Sequence, residues 1–228
     1  MDNNSLKYKR ISVFVGHYGS GKTNVALNYA LSVREHEKHV AVADLDIVNP
    51  YFRTQDSAKM LEDKGIRLIS SEFAGSNVDL PALPADVYTI SHNHDIYAVM
   101  DVGGDDRGAL ALGRYVPAIV EENNYNVFFV INKFRPLTKT PELTVEVLRE
   151  VEQAAGIKVT ALINNSNLGE DTTCEDIEGS AKYAEEVSRL SGIPVAFTTV
   201  REDLSEKVNL DNIMPIRLYV QQSWQKEV

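Results

Sequence analysis

Eight consecutive residues, Gly16-His17-Tyr18-Gly19-Ser20-Gly21-Lys22-Thr23, satisfy the pattern G-x-x-x-x-G-K-[ST] at every fixed position. Each residue type has a physical job on a polyphosphate. Glycines let the backbone curl until successive N–H groups converge on one anion. Lys22 offers a point charge to the β- and γ-phosphates, and the Thr23 hydroxyl suits an Mg²⁺ ion bound to them. A bland glycine-rich turn would share the glycines but not this lysine and threonine. The nucleotide-contacting residues expected here are Gly16, Gly19, Ser20, Gly21, Lys22, Thr23 and Asn24.

Carboxylates follow at two later points. Val42-Ala43-Asp44-Leu45-Asp46 closes an apolar run, and two acids one residue apart on a strand end point the same way. Beside a triphosphate, one could orient an attacking water and the other serve Mg²⁺, directly or through a water. A helix cap followed by a solvated acid would read the same. Lys22, Asp44 and Asp46 are the catalytic candidates, with the choice between the two acids left open. In Tyr97-Ala98-Val99-Met100-Asp101-Val102-Gly103-Gly104 an Asp ends a hydrophobic run, the Walker B arrangement that holds the Mg²⁺ shell. Thr23, Asp46 and Asp101 are therefore the metal candidates. Gly103 and Gly104 would bring backbone to the γ-phosphate, as a switch segment does.

The base is addressed by two asparagine-containing stretches. Asn164, in Asn164-Asn165-Ser166-Asn167, carries a donor and an acceptor that match the edge of adenine, although Asn is also a common turn residue. Asn132-Lys133-Phe134-Arg135 compares with the guanine signature N-K-x-D. Its last position is Arg135, so the carboxylate that would accept from the guanine amino group is missing, which favours ATP over GTP.

Chemistry at these points needs strands that end in one place. Apolar runs alternate with amphipathic stretches, the pattern of an α/β fold with a mostly parallel sheet covered on both faces. The strands expected are 10–16, 39–44, 66–70, 95–101, 125–132, 157–164 and 193–199, and the helices 22–36, 54–64, 108–122, 141–155 and 176–191. The run 216–220 reads equally as a closing strand or a short helix. Between 71 and 94, Pro81 and Pro84 break the periodicity, giving loops and one short strand near Val87-Ile90. With no repeat or linker, residues 1–228 are expected to form a single domain. In such a sheet, ligands lie beyond the carboxyl ends of the strands, where all these motifs fall.

Composition narrows the partners. The 228 residues carry a formal net charge of −10 with no basic stripe, which disfavours nucleic acid and anionic lipid. No apolar run is long enough to span a bilayer, and MDNNSLKYKR lacks the apolar core of a secretory signal. A single cysteine agrees with a reducing cytoplasm.

Taken in order, GHYGSGKT, ADLDIVNPYFR, MDVGG and LINNSN resemble the MinD/ParA branch of P-loop NTPases, over about residues 10 to 200. The nitrogenase iron protein and carbon-monoxide dehydrogenase accessory ATPases belong to the same branch. The resemblance implies a three-layer P-loop NTPase fold, ATP with Mg²⁺, and a homodimer that closes over two nucleotides. It assigns Gly19 to Thr23 to the phosphate loop, Asp44 and Asp46 to the second acidic motif, Asp101 to Walker B and Asn164 to adenine. The branch usually carries a lysine immediately after the first loop glycine, which reaches the partner's phosphates. Here that residue is His17, shorter and largely neutral near pH 7. Either another cation substitutes, with Arg53 and Arg107 as candidates, or hydrolysis is slow or differently triggered. Asn24 likewise replaces the usual second threonine.

The expected function is a Mg²⁺-dependent ATPase that switches a client protein, cytoplasmic and without a stable membrane anchor. Two alternatives use the same loop: a small-molecule kinase or ligase resembling dethiobiotin synthetase, and an ATP sensor without turnover. Three other signals carry less. His92 and His94 read as solvated turn residues, Cys174 as a lone loop cysteine, and Trp224 as part of a polar tail.

Overall fold

A computed structural model describes residues 8–46, 55–70, 90, 93–104 and 106–219. Eight strands form one sheet: β1 (Ile11–Val15), β2 (Val40–Leu45), β3 (Ile66–Ser70), β4 (Tyr97–Val102), β5 (Tyr125–Ile131), β6 (Ala161–Asn164), β7 (Val195–Arg201) and β8 (Ile213–Ile216). Their order is β3-β2-β4-β1-β5-β6-β7-β8, and every neighbouring pair is parallel. All carboxyl ends therefore share one edge, with β1 and its glycine loop near the middle.

Both faces are covered, so the strands read as continuous apolar runs. On one face α1 (Lys22–His36) and α2 (Gln55–Asp63) lie over Phe14, Val42, Val99, Phe128, Val130 and Ile163. The rings of Phe14, Tyr29 and Phe128 meet edge-on or tilted, with centroids 5.2 to 5.5 Å apart, and set how α1 seats on the sheet. On the other face α3 (Asp106–Gly113), α4 (Val116–Glu122), α5 (Pro141–Ala155) and α6 (Cys174–Ser191) cover Val13, Ala43, Met100, Phe129 and Leu162. This is the three-layer α/β architecture expected.

Helices α1 and α5 fall where the periodicity places them. Pro141 at the first position of α5 and the Thr140 side chain, which accepts from Leu143 N, define its start. Four expectations shift. Residues 108–122 form two helices, because Pro117 lies in the first turn of α4, where its missing N–H leaves no bond unmade. Cys174 opens α6 rather than sitting in a loop, since Thr173 and Asp176 make a reciprocal capping box. The strand of 157–164 is confined to 161–164. The closing strand is 213–216, and Arg217 to Tyr219 run on past it over α1. Of the segment 71–92, only Ile90 is described; its backbone is helical and it joins the core, while Val87 lies outside the described residues.

Candidate nucleotide-binding site

The phosphate loop links β1 to α1, and α1 starts at Lys22 with Gly21 as its N-cap. Gly21 has φ +87°, and a Cβ there would collide with the Asn165 side-chain nitrogen, so only glycine fits. Gly16 and Ser20 are buried beneath the loop and Gly19 is half-buried. The Lys22 side chain, only 6% exposed, folds back so that Nζ donates to the His17 carbonyl at 3.2 Å. The loop thus holds its own lysine over its concave side.

Parallel pairing puts Asp44 of β2 directly beside Asp101 of β4, and Asp101 beside Phe14 of β1. Paired residues of parallel strands face the same way, so both carboxylates point to the α1 side. There the Thr23 hydroxyl donates to Asp101 Oδ2 at 2.7 Å. Asp101 Oδ1 is buried with no hydrogen-bond partner among the described residues. Burial pushes the Asp101 carboxyl up to about 6; the Lys22 charge and the Thr23 hydrogen bond pull it down, and Asp46 pushes it further up. Asp44 Oδ1 accepts from Asp46 N at 3.0 Å, so Asp44 fixes the turn that carries Asp46.

A Cβ on Gly104 would lie 2.6 Å from Tyr18 N and 2.9 Å from Lys22 Nζ. Gly103 is buried instead under Gly108, whose Cβ would meet its backbone at 2.6 Å. Of the two glycines expected at the γ-phosphate, Gly104 is therefore the one packed against the loop.

The asparagines are arranged differently from expectation. Asn164 is fully buried, its amide donating to Ser180 Oγ at 2.7 Å and its carbonyl accepting from Ser166 Oγ at 2.8 Å. Its side chain faces α6 and holds the protein together, so it presents no edge to a base. Asn165, on the opposite face, donates to the Ser20 carbonyl at 2.6 Å and accepts from Thr199 Oγ1 at 2.5 Å. The Asn24 side-chain oxygen accepts from Tyr219 N at 2.9 Å. One helical turn on, Asn28 both donates to Arg217 O and accepts from Arg217 N, each at 2.9 Å. Asn24 and Asn28 thus clamp residues 217–219 to α1.

A family model for the CobQ/CobB/MinD/ParA nucleotide binding domain matches residues 11–174, from the first residue of β1 to the first residue of α6. The chain belongs to this family. Among solved structures, this nucleotide-binding domain is similar to the signal recognition particle receptor FtsY from Elizabethkingia anophelis. The two share 16% identity and a TM-score of 0.56, over 90% of this chain and 63% of that one. FtsY from Thermotoga maritima gives 21% identity and a TM-score of 0.55, over 83% of this chain and 61% of that one. At such identity the likeness is one of fold, and the chain spans less than two thirds of either FtsY. No curated protein matches.

Within the nucleotide-binding domain, Asn165 and Arg135 are the loop contacts that sequence reasoning missed. Alternation along β6 puts the two asparagines on opposite faces, and the packing of Ile163 under α1 places Asn165 on the side of the loop. Arg135 Nε donates to the Gly19 carbonyl at 2.8 Å. Asn132, in the same stretch, is occupied internally by Phe134 N and Asn167 O. Arg53 and His92 lie outside the described residues, as does the Arg107 side chain. His94 is exposed and 3.8 Å from Glu122. Among the described residues no three His, Cys, Asp or Glu side chains gather as a metal site, and no helix is long and apolar enough to cross a membrane.

Proposed function

We propose that this chain is a Mg²⁺-dependent ATPase whose bound nucleotide switches its contacts with a client protein. The observation that carries this reading is the Thr23–Asp101 hydrogen bond beneath the phosphate loop. A hydroxyl and a buried carboxylate with one oxygen left over form a hard-oxygen donor pair, the chemistry Mg²⁺ prefers. The remaining ligands of such an ion would be phosphate oxygens and water, in keeping with the few protein carboxylates this ion uses. Thr23 and Asp101 would hold it, with Asp46 acting through water; when bound, it neutralises charge on the phosphates.

The chain's own groups do the rest. Lys22 exchanges the His17 carbonyl for phosphate oxygens, and the loop N–H groups at the start of α1 stabilise the charge that builds in the transition state. Asp44 or Asp46 orients the attacking water for in-line displacement. Gly104, packed on Tyr18 and Lys22, registers whether the γ-phosphate is present, because the segment must move when the loop fills. A client protein or a second copy of the chain would read that movement.

Phosphate release from ATP and GTP, with and without Mg²⁺, tests the reading together with mass measurement of the apo, ADP and ATP-analogue states. We expect Mg²⁺-dependent release from ATP without any added small-molecule acceptor, and its loss in Lys22→Ala. An unchanged ATP affinity in Lys22→Ala would overturn the site. A monomer in every nucleotide state would remove the homodimer from the model of switching.

A further inference from the structure

Arg135 is a cation placed against the phosphate loop. Its Nε holds the Gly19 carbonyl at 2.8 Å, across 116 residues of chain, and the side chain is half-buried. Five other arginines of this acidic chain pair with carboxylates: Arg10 with Glu122, Arg149 with Glu152, Arg189 with Glu186, Arg201 with Asp203 and Arg217 with Glu202. Arg34, like Arg135, holds backbone carbonyls, but away from the phosphate loop. Among the described residues Arg135 has no carboxylate partner, and its terminal nitrogens make no hydrogen bond. A guanidinium fixed at one nitrogen retains a planar fork of donors, the geometry that recognises phosphate.

The placement has a backbone cause. β5 pairs with β1 in parallel, Val15 opposite Phe129, so the chain leaving β5 emerges beside the loop leaving β1. Asn132 then folds the turn, accepting from Phe134 N at 3.0 Å, and Arg135 N closes on Asn132 O at 3.1 Å. That turn directs Arg135 at Gly19. The same position carries a carboxylate in the guanine signature, so the sign of its charge is inverted here.

We propose that Arg135 is the second cation of the nucleotide site, supplied in cis. Its Nε keeps the loop in shape while its terminal nitrogens bind the phosphate chain, the charge that His17 does not provide. This rests on the nucleotide reading above and adds to it a phosphate-binding residue from the same chain.

The test is titration of the full chain and its Arg135→Gln variant with ATP and with tripolyphosphate, alongside thermal unfolding without ligand. Glutamine can still donate to Gly19 but carries no charge. We expect affinity for both ligands to fall about tenfold or more, the worth of a charge-assisted hydrogen bond, with unliganded melting unchanged. Unchanged affinity for both ligands would overturn the proposal. So would a loss confined to ATP, which would place the contact on the nucleoside. A loss accompanied by lower melting of the unliganded protein would make Arg135 a brace for the loop and equally overturn it. If the unsubstituted chain binds neither ligand, the nucleotide reading itself fails, a result distinct from these.

Discussion

The Thr23 hydroxyl, in the first turn of α1, donates to the carboxylate of Asp101 at the end of β4 across 2.7 Å. These residues lie 78 positions apart and belong to the two motifs that phosphoryl-transfer chemistry needs side by side. Their contact depends on β4 pairing with β1, so that Asp101 sits next to Phe14 and under the helix that follows β1.

Asp101→Asn keeps the shape and the Thr23 contact but removes the charge. Nucleotide turnover should fall by at least about 10- to 100-fold, which is the cost of losing even an outer partner of a metal site. Steady-state phosphate release at fixed Mg²⁺ measures this, and excess Mg²⁺ should recover part of the loss. Full activity in the variant would exclude Asp101 from the metal shell.

The same substitution has a pH signature in the nucleotide-free protein. The Asp101 carboxyl is raised from 3.8 to about 6 by burial, so between those values the folded state keeps a proton that the unfolded chain has released. The stability this lends is complete below pH about 4 and is lost as pH rises through about 6. Asp101→Asn has no such group. Urea midpoints taken from pH 4 to 7 should therefore show the variant gaining on the unsubstituted protein up to pH about 6 and holding level above it. A constant difference across the range would contradict the burial argument.

Gly104→Ala should weaken nucleotide binding while leaving the fold in place. The new methyl would meet Tyr18 N at 2.6 Å and Tyr18 Cα at 2.8 Å, backbone of the phosphate loop that yields only if the loop shifts, and would also press on Lys22 Nζ at 2.9 Å. Overpacking of this kind costs about 1–3 kcal/mol, here paid by shifting the phosphate loop, so ATP affinity should drop about tenfold or more. Calorimetric titration of the variant checks it.

Asn165→Ala and Asn164→Ala should separate loop support from fold support. Losing Asn165 leaves the Ser20 carbonyl and Thr199 hydroxyl without that amide, so ATP and GTP affinities should fall together and their ratio stay fixed. Losing Asn164 removes the buried donor to Ser180 Oγ and the buried acceptor for Ser166 Oγ, costing about 1–3 kcal/mol of stability. Paired ATP and GTP titrations with denaturant unfolding distinguish them. A changed ATP-to-GTP ratio in a stable Asn164→Ala protein would restore that residue to the base.

Local chemistry made much of this protein legible from its residues alone. Gly21-Lys22-Thr23, Asp44 and Asp101 declare themselves because a curled glycine backbone and acids at strand ends are properties of short stretches. The parallel α/β sheet was readable too, since strands buried on both faces must be continuously apolar. Pairing order and facing were not readable. Nothing in the stretch LINNSN says which face of β6 lies under α1, and that alone makes Asn165 the loop contact and Asn164 an internal strut. Arg135 in sequence was only the absence of an aspartate. It became a cation at Gly19 because β5 lies against β1, a neighbour relation set by long-range packing and not by any local pattern.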